Sequence, residues 1–91
     1  MADVVAVSQS DFNLLREYKK HPSTELVERY NRVLPVVESF LERLLDPLTA
    51  LCLREFYING RSWDDIADIV GCGISDTFRK RSKRFMKGLP L

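Results

Sequence analysis

Apolar residues recur at helical spacing along most of this 91-residue chain, and polar or helix-breaking residues cut the pattern into successive segments. Phe12, Leu14, Leu15 and Tyr18 predict a first helix, capped by Ser10 or Asp11 and ending near Lys20. His21-Pro22-Ser23 stops it, because the residue before a proline is pushed out of the α region. Ser23 then caps a second helix, with Glu25 in the favourable first turn. Its apolar stripe is long: Leu26, Val27, Tyr30, Val33, Leu34, Val37, Phe40, Leu41, Leu44 and Leu45. Pro35 interrupts the stripe and predicts a kink or split near Arg32. Asp46-Pro47 reads as an N-cap followed by proline at the first helical position, opening a helix that Asn59-Gly60 ends. Ser62-Trp63-Asp64-Asp65 reads as a capping box for a fourth helix, with Ile66, Ala67, Ile69 and Val70 inward and Gly71 as the stop. After the turn Gly71-Cys72-Gly73-Ile74, Ser75 caps a final helix from Asp76 to about Gly88.

Apart from a weak alternation at Val4-Val5-Ala6-Val7, nothing carries a strand period, so the expected fold class is all-α. The expected layout is a flexible arm over 1–9, N-terminal helices over 10–45, and a helix-turn-helix region over 46–91. The stripe from Leu26 to Leu45 exceeds what one short neighbour covers. It serves either as the domain core or, in part, as a homodimer interface through residues 26–45.

Composition narrows the function classes. With 45% apolar and 30% charged residues the chain is of ordinary globular make-up, and its length holds one core. No apolar run approaches the roughly 18 residues of a membrane span, and the start Met1 to Val7 lacks the basic segment of a secretory signal. A cytoplasmic location and no membrane partner are expected. Two cysteines and one histidine are too few for a structural zinc site, which takes four ligands. Cys52 and Cys72 are expected to be reduced. His21 has no nucleophile to serve and reads as a surface residue. With no nucleophile–base pair, Gly-rich phosphate loop or metal cluster in the pattern, neither enzyme activity nor a cofactor is expected.

Charge changes the picture most. The last fourteen residues, Phe78 to Leu91, hold six of the 14 basic side chains and no acid; the rest of the chain is net −5. On a helical wheel Phe78, Ser82, Phe85, Met86 and Leu89 fall within roughly 100° of each other and predict a core face. Lys80, Lys83 and Lys87 fall almost opposite, joined by Arg84, Asp76 and Thr77, with Arg79 and Arg81 on the borders. Like charges at i,i+3 and i,i+4 repel, so the pattern weakens the helix unless a polyanion is present. A solvated basic face and an amphipathic membrane-surface helix are the competing readings. The second conflicts with the need of the upstream helices for the same apolar face.

Leu45 to Leu89 resembles the −35-recognition domain of bacterial sigma factors, a compact helix-turn-helix. The residues that carry the likeness are Leu45-Asp46-Pro47 and the helix Leu48 to Tyr57. They continue with Gly60-Arg61-Ser62-Trp63-Asp64-Asp65-Ile66-Ala67-Asp68-Ile69-Val70-Gly71, then Ser75-Asp76-Thr77-Phe78-Arg79-Lys80-Arg81. The Ser-Trp-Asp-Asp-Ile-Ala segment is similar to small phage and mobile-element regulators of the RinA/ArpU type. One departure stands out: the turn Gly71 to Thr77 is one residue longer than the usual pattern, which can rotate the last helix against its partner.

The resemblance implies a sequence-specific double-stranded DNA-binding transcriptional regulator, acting in a bacterial cell, that inserts helix 76–88 into a major groove. In such motifs the start of the second helix meets base edges. Asp76, Thr77, Lys80 and Arg84 are then the expected base contacts, through cytosine, thymine and guanine edges. Arg79, Arg81, Lys83 and Lys87 are the expected phosphate contacts, with Ser62 and Ser75 as further phosphate candidates at helix N-termini. Asp64, Asp65 and Asp68 form an acidic patch, either a solvated face or a surface for RNA polymerase. Trp63 is expected to lie as a lid over the motif core. Two rivals remain: a module that binds RNA polymerase or a sigma or anti-sigma partner without reading DNA, and a DNA-packaging or recombination subunit.

Overall fold

Ser8 opens the first helix, α1 (Gln9–Lys20): its hydroxyl accepts from the Asp11 N–H, and the Asp11 carboxylate accepts from the Ser8 N–H. This closed capping box uses Ser8 in place of the expected Ser10 or Asp11, because only Ser8 has an acid three residues on that can return the bond. The computed structural model describes residues 7–71 and 74–91. Val7 is buried in the core, so residues 7–9 belong to the packed domain rather than to a flexible arm. The rest of the expected arm, residues 1–6, lies outside the described residues, as do Cys72 and Gly73 in the expected turn.

The corner after α1 differs from expectation. His21 is exposed and ends α1 as foreseen, but the Ser23 hydroxyl accepts from the Glu25 N–H and its carbonyl from the Leu26 N–H, within a turn. The second helix, α2 (Val27–Glu42), starts later, with no side-chain cap at Leu26. It runs through Pro35 without splitting at Arg32. Asn31, whose carbonyl loses its proline-blocked partner, is exposed, as are Arg32, Pro35 and Val36, so water can satisfy that carbonyl. The proline lies on the face where its cost is least.

Asp46 caps α3 (Pro47–Leu53) by accepting from the Leu48 and Thr49 N–H groups. The chain then widens into a π-turn over Arg54–Ile58, closed by Asn59 N–H donating to the Arg54 carbonyl at 3.0 Å. Gly60 carries the positive φ of 75° that lets the chain leave this turn; Asn59 remains right-handed. Ser62 caps α4 (Trp63–Val70), accepting from the Asp65 N–H; Gly71, at φ 85°, ends it. The last helix is α5 (Ser75–Lys87), whose cap position is Ile74, without a side-chain bond. Ser75 is therefore inside the helix and is not its cap.

Among the described residues the fold is all-helical, with no strand and no helix long and apolar enough to cross a membrane. Two apolar clusters share the interior. The larger joins Val7, Phe12, Leu15, Val37, Leu41, Leu53, Ile58 and Met86. The smaller joins Cys52, Ile66 and Phe78, with Leu48, Phe56, Trp63, Ala67 and Val70 against it. Neighbours in the π-turn split between them: Tyr57 meets Phe12 edge-on at 5.3 Å, and Phe56 stacks on Trp63 at 4.0 Å.

The α2 stripe is covered more fully than its length suggested. Val37 and Leu41 are buried, and Tyr30, Val33, Leu34, Phe40 and Leu44 pack against the same cluster. Phe85 and Met86 in the last turn of α5, and Leu89 just beyond it, supply part of the cover. Of the expected stripe only Leu45 remains an exposed large apolar side chain, with Val36 exposed off the stripe, so among the described residues of α2 the stripe is largely taken up within the chain. The tail after α5 is tied back to α1: Gln9 N–H donates to the Pro90 carbonyl at 2.8 Å, and the Gln9 side chain to the Leu89 carbonyl at 3.0 Å.

Candidate nucleic-acid interface

The core face of α5 is the one the wheel gives. Phe78, Ser82 and Met86 are buried and Phe85 and Leu89 half-buried. Ser82, 1% exposed and without a hydrogen-bond partner for its hydroxyl, is the small residue in this row. With that face seated, Lys80, Lys83, Arg84 and Lys87 are driven to the opposite side. They are exposed and together line one open cleft of about 300 Å³. Among the described residues the ion pairs of α5 involve Arg79, Lys80 and Arg81, leaving Lys83, Arg84 and Lys87 without a carboxylate partner.

Asp76 is the acid in the first turn of α5, and it is not idle. Its Oδ1 accepts from the Arg79 guanidinium, and its Oδ2 pairs with Lys80 Nζ at 3.2 Å. The Arg79 hydrogen bond first, and the Lys80 bond second, hold its carboxyl below the ordinary carboxylate value. Arg79 is thereby engaged along its own helix, half-buried beside the acid, rather than free for a phosphate as expected. Thr77 is exposed beside this group.

Arg81 departs furthest from expectation. Its Nε donates to Thr49 Oγ1 at 2.9 Å and its Nη2 to Asp46 Oδ2 at 2.5 Å, while Thr49 Oγ1 donates to Asp46 at 2.8 Å. Arg81 thus bolts α5 to the start of α3 through its Nε and Nη2, with its charge paired to Asp46 while the side chain stays 43% exposed. Its bond, with that of Thr49, lowers the Asp46 carboxyl to about 2. The sequence marks Asp46 only as a cap. A bond spanning 35 positions has no local signature, so this clamp could not be seen there.

The two serines are explained by local structure. Ser62 satisfies the Asp65 N–H, and Asp64 and Asp65 already complement the positive end of α4, which disfavours a phosphate there. Ser75 is half-buried inside α5. The longer turn that was expected to re-aim α5 contains Cys72 and Gly73, outside the described residues. Cys52 is a buried free thiol, and burial pushes its pKa up. Among the described residues no three His, Cys, Asp or Glu side chains converge on a metal position.

Asp64, Asp65 and Asp68 are exposed along α4 beside the part-exposed Ile69, and none of them forms an ion pair among the described residues. Trp63 lies flat on Phe56, as a cover over the smaller cluster. No local pattern points to the residue that covers Phe56 as well: the Arg16 guanidinium stands 3.6 Å from that ring's centre and donates to the Phe56 carbonyl at 2.6 Å. This contact fixes α1 against the π-turn that precedes α4.

No protein-family model, curated protein or solved structure matches the chain.

Proposed function

We propose that the chain is a double-stranded DNA-binding transcriptional regulator whose α5 enters the major groove as the second helix of a helix-turn-helix. The observation that carries this reading is the cleft of Lys80, Lys83, Arg84 and Lys87, four exposed cations along one side of a helix whose other side is seated in the core. Holding like charges this close weakens a helix in water, and a polyanion reverses that cost. The helix pair supports the reading too: α4 ends at a left-handed glycine, and α5 follows within a few residues. The resemblance to sigma-type motifs extends the reading to transcription control, in the manner of small phage and mobile-element regulators. A second reading, a protein-docking module for RNA polymerase, draws on the unpaired carboxylates and Ile69 on α4.

The test is selection of sites from random duplex DNA at physiological salt, using the purified chain. An enriched motif is expected, and charge reversal at Lys80 and Arg84 together (K80E/R84E) should abolish its binding, since good base contacts contribute about 1–3 kcal/mol each. Affinity within about twofold of the parent chain would show that another surface binds. No enrichment, with polymerase binding lost on neutralising Asp64, Asp65 and Asp68, would establish the second reading.

A further inference from the structure

The ion pair at the start of α5 has the layout of a base-pair reader. In the major groove a G·C pair presents a donor, the outward hydrogen of cytosine N4, beside an acceptor, guanine O6, with N7 next to it. N4 and O6 are hydrogen-bonded to one another, so they sit about 2.9 Å apart. Asp76 Oδ2 and Lys80 Nζ present the complementary order, acceptor beside donor, 3.2 Å apart. From this match, and resting on the DNA-binding reading above, we infer that Asp76 and Lys80 act as one unit that recognises a single G·C pair.

The hydrogen-bonding capacity allows it. A carboxylate offers about four acceptor positions, and an ammonium three donors. Arg79 occupies Oδ1 through its Nε and Nη2, and Lys80 takes one position on Oδ2. Oδ2 therefore keeps a free lone pair for cytosine N4, and Lys80 keeps two N–H groups for guanine. Both side chains are open to a ligand, 45% exposed at Asp76 and 69% at Lys80. Arg79, on the other side of the carboxylate, is a positioning residue that keeps Oδ2 turned toward Lys80. The carboxylate stays ionised through the neutral range, its pKa being lowered by the same two cations. With thymine in the cytosine position an A·T pair reverses the fit, an acceptor facing the carboxylate and adenine N6 facing the ammonium. With adenine there, N6 and thymine O4 repeat the donor–acceptor order, but adenine N7 turns a second acceptor toward the carboxylate and the thymine methyl stands where Lys80 would find guanine N7. Asp76 also has a cost that a purely phosphate-binding helix would avoid, because it places a negative charge on the face that meets the polyanion. It thus lowers affinity for DNA at large and raises it for one base pair.

The experiment takes the most enriched duplex from the random pool and replaces each cytosine in turn with N4-methylcytosine. Base pairing forces that methyl group into the major groove, where it displaces the one hydrogen Asp76 would accept. One position is expected to weaken binding about tenfold. Asp76→Ala should bind methylated and unmethylated duplexes equally, and should bind unrelated duplex DNA more tightly than the parent chain. Enrichment of a motif in which no cytosine is sensitive would overturn the inference and leave the DNA-binding reading standing. The same holds if Asp76→Ala retains the full sensitivity. Failure to enrich any motif would overturn both.

Discussion

Asp46 serves two structural ends with one carboxylate, and pH separates them. Its Oδ1 caps α3, while its Oδ2 receives Arg81 and Thr49 and so locks α5 in rotation about its axis. The ordinary aspartate pKa is about 3.9 in an unfolded chain; in the fold it is lowered to about 2. A depressed pKa means that the unfolded chain takes up the proton first, so the carboxylate stabilises the fold fully above about pH 4. That contribution is lost as pH falls through about 2. Asp46→Asn keeps a side chain that caps helices well and removes the charge together with the second acceptor oxygen that Arg81 and Thr49 use. The variant should be less stable than the parent in urea unfolding at pH 7, and the gap should close as pH approaches 2. Equal stability at pH 7 would mean that the Arg81 bond, which is partly exposed, contributes nothing.

At the scale of the helix, Pro35 is the residue whose effect is easiest to misjudge. Within an α-helix a proline costs about 3 kcal/mol relative to alanine, through a lost hydrogen bond and a clash with the preceding turn. Here α2 continues unbroken past it, with the disturbed carbonyl on the exposed side. Pro35→Ala should therefore raise stability, by about 1–3 kcal/mol in chemical unfolding, without altering helix content in circular dichroism. A fall in stability would show that the proline shapes the helix for the core. The same element shows what a single sequence reveals. Caps with local partners were legible at Asp46 and Ser62, because the donor lies within three residues. The core face of α5 was legible because a period of 3.6 needs no knowledge of the partner. The Ser8–Asp11 box is equally local, but Ser10 and Asp11 compete with Ser8 as caps nearer the apolar stripe; what depended on distant residues was the cover of the α2 stripe, which comes from α5, over forty positions away. The π-turn left no trace, since Leu48 to Ile58 has the period of one ordinary helix.

The distribution of charge over the whole molecule sets how it would meet a duplex. The chain is net +1, but α4 carries three exposed carboxylates and α5 an open row of cations. Phosphates attract one helix and repel the other, so the docking that agrees with both buries α5 in the groove and turns the outer face of α4 away. Each phosphate neutralised adds about −0.9 to the slope of log affinity against log salt. Lys83 and Lys87 are the phosphate-facing cations without internal carboxylates, so they should give a slope of about −2, before any contribution from Lys80 and Arg84. Lys83→Ala or Lys87→Ala should each make the slope shallower by about one. Arg81→Ala should leave it unchanged and lower stability instead, because its charge is already paired with Asp46 and its Nε bonded to Thr49. Affinity measured by fluorescence anisotropy between 50 and 200 mM salt separates the two classes, a range over which such slopes are resolved. A slope that moves with Arg81 and not with Lys83 would place the duplex against the α3–α5 seam, and the cleft on α5 would lose its role.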